Sequence, residues 1–134
     1  MDLERYTLVP SVAIELPAVP ASVTAARHRV REFAARQGAG AGTLTAIELA
    51  VTEAVGNAVR HAYADEPGAV QVMLDVEQDE LELVVMDDGQ GFTTRTVTGL
   101  GLGLVVMREV CDAFEVRDRP LGGVEVWMRF ALAG

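Results

Sequence analysis

The chain has 134 residues, half of them hydrophobic, which suffices for one domain with a packed core. Its formal net charge of −9 and pI near 4.6 argue against direct binding of nucleic acid or of an anionic membrane, since both need clustered Lys and Arg. A single cysteine, Cys111, excludes an internal disulfide, no apolar run reaches the ~18–20 residues that span a bilayer, and Met-Asp-Leu-Glu is no start of a signal peptide; the expectation is a soluble cytoplasmic domain covering residues 1–134.

Residues 6–16 are β-leaning, with Pro10 pointing to an edge strand or a break. Pro17 and Pro20 stop the strand and lead into Ala21-Ser22, a plausible helix cap. Val23, Ala26, Val30 and Phe33 then repeat at three and four, predicting an amphipathic helix to about Gln37. Arg27, His28, Arg31 and Arg36 lie off that stripe, and His28 reads as a solvated surface residue. Gly38-Ala-Gly-Ala-Gly42 reads as a flexible linker. A second helix should start near Thr43 or Thr45, where Thr45 and Glu48 have capping-box spacing. It runs on to Tyr63, and Asp65 to Gly68 closes it as a turn.

Ala69 to Val76 and Leu81 to Met86 form a predicted hairpin about the polar turn Gln78-Asp79-Glu80. Gly99-Leu-Gly-Leu-Gly-Leu104 opens a third helix that reaches about Phe114. Phe114 to Val116 and Val124 to Leu132 flank the turn Pro120-Leu-Gly-Gly123, a second hairpin. The order strand, helix, helix, strand, strand, helix, strand, strand is no strict βαβ alternation. It predicts an α+β two-layer sandwich: a mixed, mostly antiparallel sheet with helices on one face.

The chemistry concentrates in the second helix. Glu53, Asn57 and His61 recur at a spacing of four and climb one face, while the residues around them are almost all apolar or small. A buried Glu or Asn costs several kcal/mol, roughly, unless something satisfies it. A metal and a phosphate chain would do so. Mg²⁺ prefers hard oxygens, takes few protein ligands and lets phosphates complete its octahedron, so the Asn57 amide alone would suffice. Glu53, one turn earlier, is placed to take a proton from a hydroxyl or to orient a water. The plainer alternatives are an ion pair of Glu53 with Arg60 or Arg108, and a structural hydrogen bond for His61.

Two glycine motifs follow. Asp87-x-Gly89-x-Gly91 sets a carboxylate at a strand end beside two glycines, which lets a flat ligand approach the backbone. A carboxylate accepts from an exocyclic amine and repels a keto oxygen, so Asp87 favours adenine over guanine; the alternative is a simple Asp-Gly turn, and Asp88 reads as solvated. Gly99-x-Gly101-x-Gly103 entering a helix offers N–H groups and a positive dipole end to phosphates. It is neither a Walker A loop nor a dinucleotide fingerprint. Cys111 reads as core packing.

Glu-x-x-x-Asn-x-x-x-His-x-Tyr, then Asp-x-Gly-x-Gly, then Gly-Leu-Gly-Leu before a helix resembles the GHKL (Bergerat-fold) ATPase superfamily. Within it, Ala50 to Tyr63 and Gly101 to Asp112 are similar to the bacterial RsbW-like anti-sigma factor serine/threonine kinases. The resemblance spans nearly the whole chain. It implies Glu53 as general base, Asn57 as Mg²⁺ ligand and Asp87 as the adenine contact of bound ATP. Gly89 and Gly91 would shape the adenine pocket, Gly101, Leu102, Gly103 and Leu104 would border the phosphates, and Phe92 to Leu100 would be a short ATP lid carrying Arg95 and an extra Gly99. It further implies a homodimer that binds a sigma factor and phosphorylates a STAS-domain anti-sigma factor antagonist. An ATP-gated regulator that holds a partner without phosphorylating it is the alternative.

Overall fold

The computed structural model describes residues 12–63, 66–89 and 101–133, with residues 101–104 described by their backbone alone. They form β1 (Val12–Pro17), α1 (Ala21–Arg36), α2 (Ala41–His61), β2 (Ala69–Glu77), β3 (Glu80–Asp87), α3 (Gly101–Val110), β4 (Ala113–Asp118) and β5 (Val124–Ala131), in the predicted order. The strands make one sheet in the order β1-β2-β3-β5-β4, and every described pairing is antiparallel. β1 lies at an edge, where the missing N–H of Pro17 is tolerated. Residues 6–11, with Pro10, lie outside the described residues.

Strand periodicity decides which face is covered. Val70, Val72 and Leu74 of β2, Leu81, Leu83 and Val85 of β3, and Val126, Met128 and Phe130 of β5 are buried, and their register stacks them on one side. α2 packs on this face against β2, β3 and β5 and is flanked by α1 and α3. Its Ile47, Ala50, Val51, Ala54, Val55 and Ala58 are buried, which explains why so few polar residues interrupt it. β2 and β3 join through Gln78 and Asp79, both at positive φ (50° and 63°), the backbone of a two-residue hairpin turn. Glu80 is therefore already in β3 rather than in the turn.

Three helix boundaries differ from expectation, each because tertiary contacts override local signals. α1 follows Pro20 with no side-chain cap; Ser22 is buried instead and donates its hydroxyl to Pro17 O at 2.6 Å, tying the helix to the end of β1. α2 begins at Ala41, ahead of Thr43 and Thr45, because its start docks on the end of β5: Gly40 N donates to Leu132 O at 3.2 Å and Thr43 Oγ1 to Ala131 O at 3.2 Å. The capping box does not form. Thr45 Oγ1 bonds back to Ala41 O at 3.1 Å, and Glu48 pairs with Arg31 of α1 at 3.5 Å. α3 ends at Val110, short of Phe114, because Asp112 redirects the chain. Its carboxylate accepts from Ala131 N at 2.6 Å and its own N–H donates to Arg129 O at 2.9 Å, so Phe114 enters β4.

Candidate functional site

Asn57 sits in the buried middle of α2 at 7 % exposure, flanked by half-buried Glu53 one turn before and half-buried His61 one turn after. Arg60 Nη2 donates to Asn57 Oδ1 at 3.1 Å. Gly56 makes that possible: the Arg60 guanidinium folds back over it, with Nη1 only 3.0 Å from where a Cβ would sit. A Cβ at this position would ask the guanidinium to give way by a few tenths of an ångström. Among the described residues neither Arg60 nor Arg108 forms an ion pair with Glu53, so the plainer reading of that carboxylate is not realised there.

An amide oxygen has two lone pairs, so Arg60 leaves one for a cation. Among the described residues no group of three or more His, Cys, Asp or Glu side chains could cage a metal. A single hard oxygen beside a carboxylate fits a Mg²⁺ held mostly by water and phosphates.

The second part of the site is the end of β3. Asp87 shares strand parity with Leu81, Leu83 and Val85, and pairs with buried Val70, so its side chain points beneath the helices and is buried at 4 % exposure. Its Oδ1 accepts from Gly89 N at 3.0 Å, which folds the strand end into a turn. A Cβ on Gly89 would lie 2.0 Å from Ala62 O. The turn is thus pressed directly on the C-terminal end of α2. The side of Gly89 on which a Cβ would sit meets protein, which by itself requires glycine there.

This contact fixes the scale of the site. At 1.5 Å per residue, Asn57 lies roughly 7–8 Å before Ala62 along α2, and Glu53 roughly 13–14 Å before it. The Asp87 turn, the Asn57 amide and the Glu53 carboxylate therefore follow one another along the length of α2, from its C-terminal end inward. α3, whose first residue is Gly101, packs on the same helix. Gly91, Arg95, Gly99 and the lid from Phe92 to Leu100 lie outside the described residues, as do the side chains of Leu102 and Leu104.

Sequence reasoning left Arg119 unread and gave Tyr63 and Gly123 no part in this turn. Tyr63 Oη donates to Ala69 O at 2.5 Å and accepts from Asp88 N at 2.9 Å. Its ring lies where a Cβ on Gly68 would be, 2.4 Å away, so Gly68 is what lets the ring lie against the chain. Arg119 Nη1 donates to Asp87 O at 3.1 Å and to Asp88 Oδ1 at 2.5 Å. Gly123, at φ +93°, passes so close that a Cβ would lie 1.9 Å from Asp87 O. The only available signals were a tyrosine two residues beyond the stripe and a Gly-Gly pair in a hairpin, and both have commoner explanations.

Cys111 packs half-buried against the core, and burial, aided by the neighbouring Asp112 charge, pushes its thiol up to about 12. A thiol held protonated is a poor nucleophile, in line with a packing role. His28 is exposed. No helix among the described residues is long and apolar enough to cross a membrane.

Residues 16–130 match the family model of the histidine kinase-like ATPase domain. The chain is 34% identical over 145 residues to the serine-protein kinase RsbW of Bacillus velezensis, covering 96% of this chain and 89% of that protein. It is 34% identical to the RsbW of Bacillus subtilis, over 92% of this chain and 86% of the relative. To the anti-sigma F factor of Shouchella clausii it is 30% identical, over 78% and 80%. Part of the structure of the RsbU and RsbW domains of Rv1364c from Mycobacterium tuberculosis has the same fold, at a TM-score of 0.68 and 22% identity; the match covers 92% of this chain and 33% of that one. With the match to the family model over most of its length, the chain belongs to the histidine kinase-like ATPase domain family, in its RsbW-like branch.

Proposed function

We propose that residues 1–134 act as one cytoplasmic, ATP-dependent protein serine/threonine kinase domain that restrains a sigma factor and phosphorylates a STAS-domain antagonist of that restraint. The observation that carries this reading is the joining of two chemistries on α2: a buried amide with one oxygen lone pair to spare, and a buried carboxylate turn packed on the same helix end. The relatives named as serine-protein kinases and as an anti-sigma factor support the two activities and the partner classes. A homodimer is part of the same reading.

In this scheme Asp87 accepts a hydrogen bond from the adenine amine, with Gly89 and Gly91 shaping the turn around it. Asn57 would hold Mg²⁺ through its amide oxygen, and the ion when bound would draw charge from the phosphates. Gly101, Leu102, Gly103 and Leu104 open α3 and border the phosphates with their backbone N–H groups. Glu53 takes the proton of the incoming serine or threonine hydroxyl as its oxygen bonds to the γ-phosphorus; the bridging P–O bond breaks and ADP leaves.

The test is transfer of labelled γ-phosphate to a purified STAS-domain protein. Glu53→Ala is expected to lower the transfer rate by about 10²–10⁴-fold, the usual contribution of a positioned base, while leaving Mg-ATP affinity near wild type. Unchanged transfer by Glu53→Ala removes Glu53 from the chemistry. Nucleotide binding and partner capture without transfer to any antagonist would favour the ATP-gated, non-catalytic regulator.

A further inference from the structure

Three consecutive groups of the Asp87 turn are each held by a bond, and two of the holders come from outside the nucleotide motifs. Asp87 Oδ1 takes Gly89 N, the internal bond of the turn. Asp88 N is held by Tyr63 Oη, at the end of α2 and above β2, the neighbour of β3 on one flank. Asp87 O is held by Arg119 Nη1, from the connection between β4 and β5, on the other flank. The same guanidinium nitrogen binds the Asp88 carboxylate, which is itself 71% exposed. That connection is closed by Arg119 N donating to Gly123 O at 3.0 Å and Gly122 N donating to Arg119 O at 3.1 Å. It therefore presents Arg119 from a fixed loop.

Resting on the reading of Asp87 as the adenine contact, we infer that Arg119 and Tyr63 are positioning residues that set the direction of the Asp87 carboxylate, and so set base selectivity. The physical argument is one of degrees of freedom. A carboxylate at a strand end discriminates an amine from a keto oxygen only if it cannot rotate or withdraw to suit either. Strand pairing fixes Asp87 as far as its pairing with Val70 and no further. Beyond that, its peptide carbonyl and the next N–H would be solvated and mobile without partners. Tyr63 and Arg119 supply those partners. The Arg119–Asp88 ion pair holds the guanidinium over the Asp87 carbonyl, which gives exposed Asp88 a purpose.

The experiment measures Kd for Mg-ATP and for Mg-GTP by calorimetry on the full chain, with thermal melting in parallel. Arg119→Ala is expected to weaken ATP about tenfold, the scale of one charge-assisted hydrogen bond, and to narrow the ATP-over-GTP ratio by a similar factor. Arg119→Lys, which keeps a cationic donor, should recover most of that loss. Asp88→Asn and Tyr63→Phe should each shift the ratio in the same direction, and Asp88→Asn on top of Arg119→Ala should add little, because both act through one contact. Arg117→Ala is the control: Arg117 lies on the same hairpin but pairs with Glu115 and stacks on Trp127, so selectivity should not move. Should Arg119→Ala fail to fold, Asp88→Asn at its exposed side chain carries the test. Wild-type ATP affinity and selectivity in Arg119→Ala and Asp88→Asn, with Asp87→Asn losing ATP, overturns the positioning role alone. Undiminished ATP binding by Asp87→Asn overturns the adenine reading beneath it.

Discussion

Gly89→Ala isolates the joint on which the candidate site depends. The added Cβ would lie 2.0 Å from Ala62 O, 2.4 Å from Ala62 C and 2.7 Å from Ala62 Cβ. Two of these atoms are backbone at the end of a helix, and none can swing aside as a long side chain would. The turn must retreat by about 1 Å merely to reach 3.0 Å, the shortest approach that Cβ atoms make. Retreat stretches the bond from Gly89 N to Asp87 Oδ1 and pulls against both Tyr63 and Arg119. Overpacking of this kind costs about 1–3 kcal/mol. For a domain of this size that corresponds to a fall in Tm of roughly 3–12 °C. Because the strain falls on Asp87, Mg-ATP affinity should drop beyond what the lower stability explains. Thermal melting by circular dichroism and calorimetric titration at a temperature where the variant is fully folded separate the two effects. A variant that melts within about 1 °C of wild type and binds Mg-ATP equally well would refute the claim that the turn leans on α2.

Two other outcomes follow from the same structure. Gly42, in the first turn of α2, has nothing within 4 Å of a built Cβ, so Gly42→Ala should stabilise by about 0.5–1 kcal/mol and raise Tm in the same melting assay, opposite in sign to Gly89→Ala. Cys111 is held protonated by burial, so iodoacetamide should label it slowly at pH 8 relative to a free thiol. Its pKa is raised on folding, so its contribution to stability is fully present below the ordinary value of 9.0 and is lost as pH climbs toward about 12; chemical denaturation across that window should show the decline, and Cys111→Ala should flatten it.

Much of this architecture could be read from the chain because periodicity and burial agree there. The alternation through β2 and β3 and the run of small apolar residues in α2 each state a face and a partner. The stripe of Glu53, Asn57 and His61 was legible for the converse reason: polar residues at helical spacing in an apolar helix need a purpose. The helix boundaries were less legible. Thr45 and Glu48 spell a capping box, yet Gly40 and Thr43 bond to residues about ninety positions later, and no local window contains that contact.

The Asp87 turn shows the same limit at the site itself. Asp-x-Gly names a carboxylate and a tight backbone, and both are found where expected. What holds the backbone of that turn is assembled from the end of α2, the start of β2 and a hairpin more than thirty residues downstream. Tyr63, Arg119 and Gly123 have no shared motif because they share only a location, created when the antiparallel sheet sets β2 and β5 on either side of β3. A chemical group can be announced by a few neighbouring letters. Its orientation is a property of the fold, and selectivity between two purines depends on orientation.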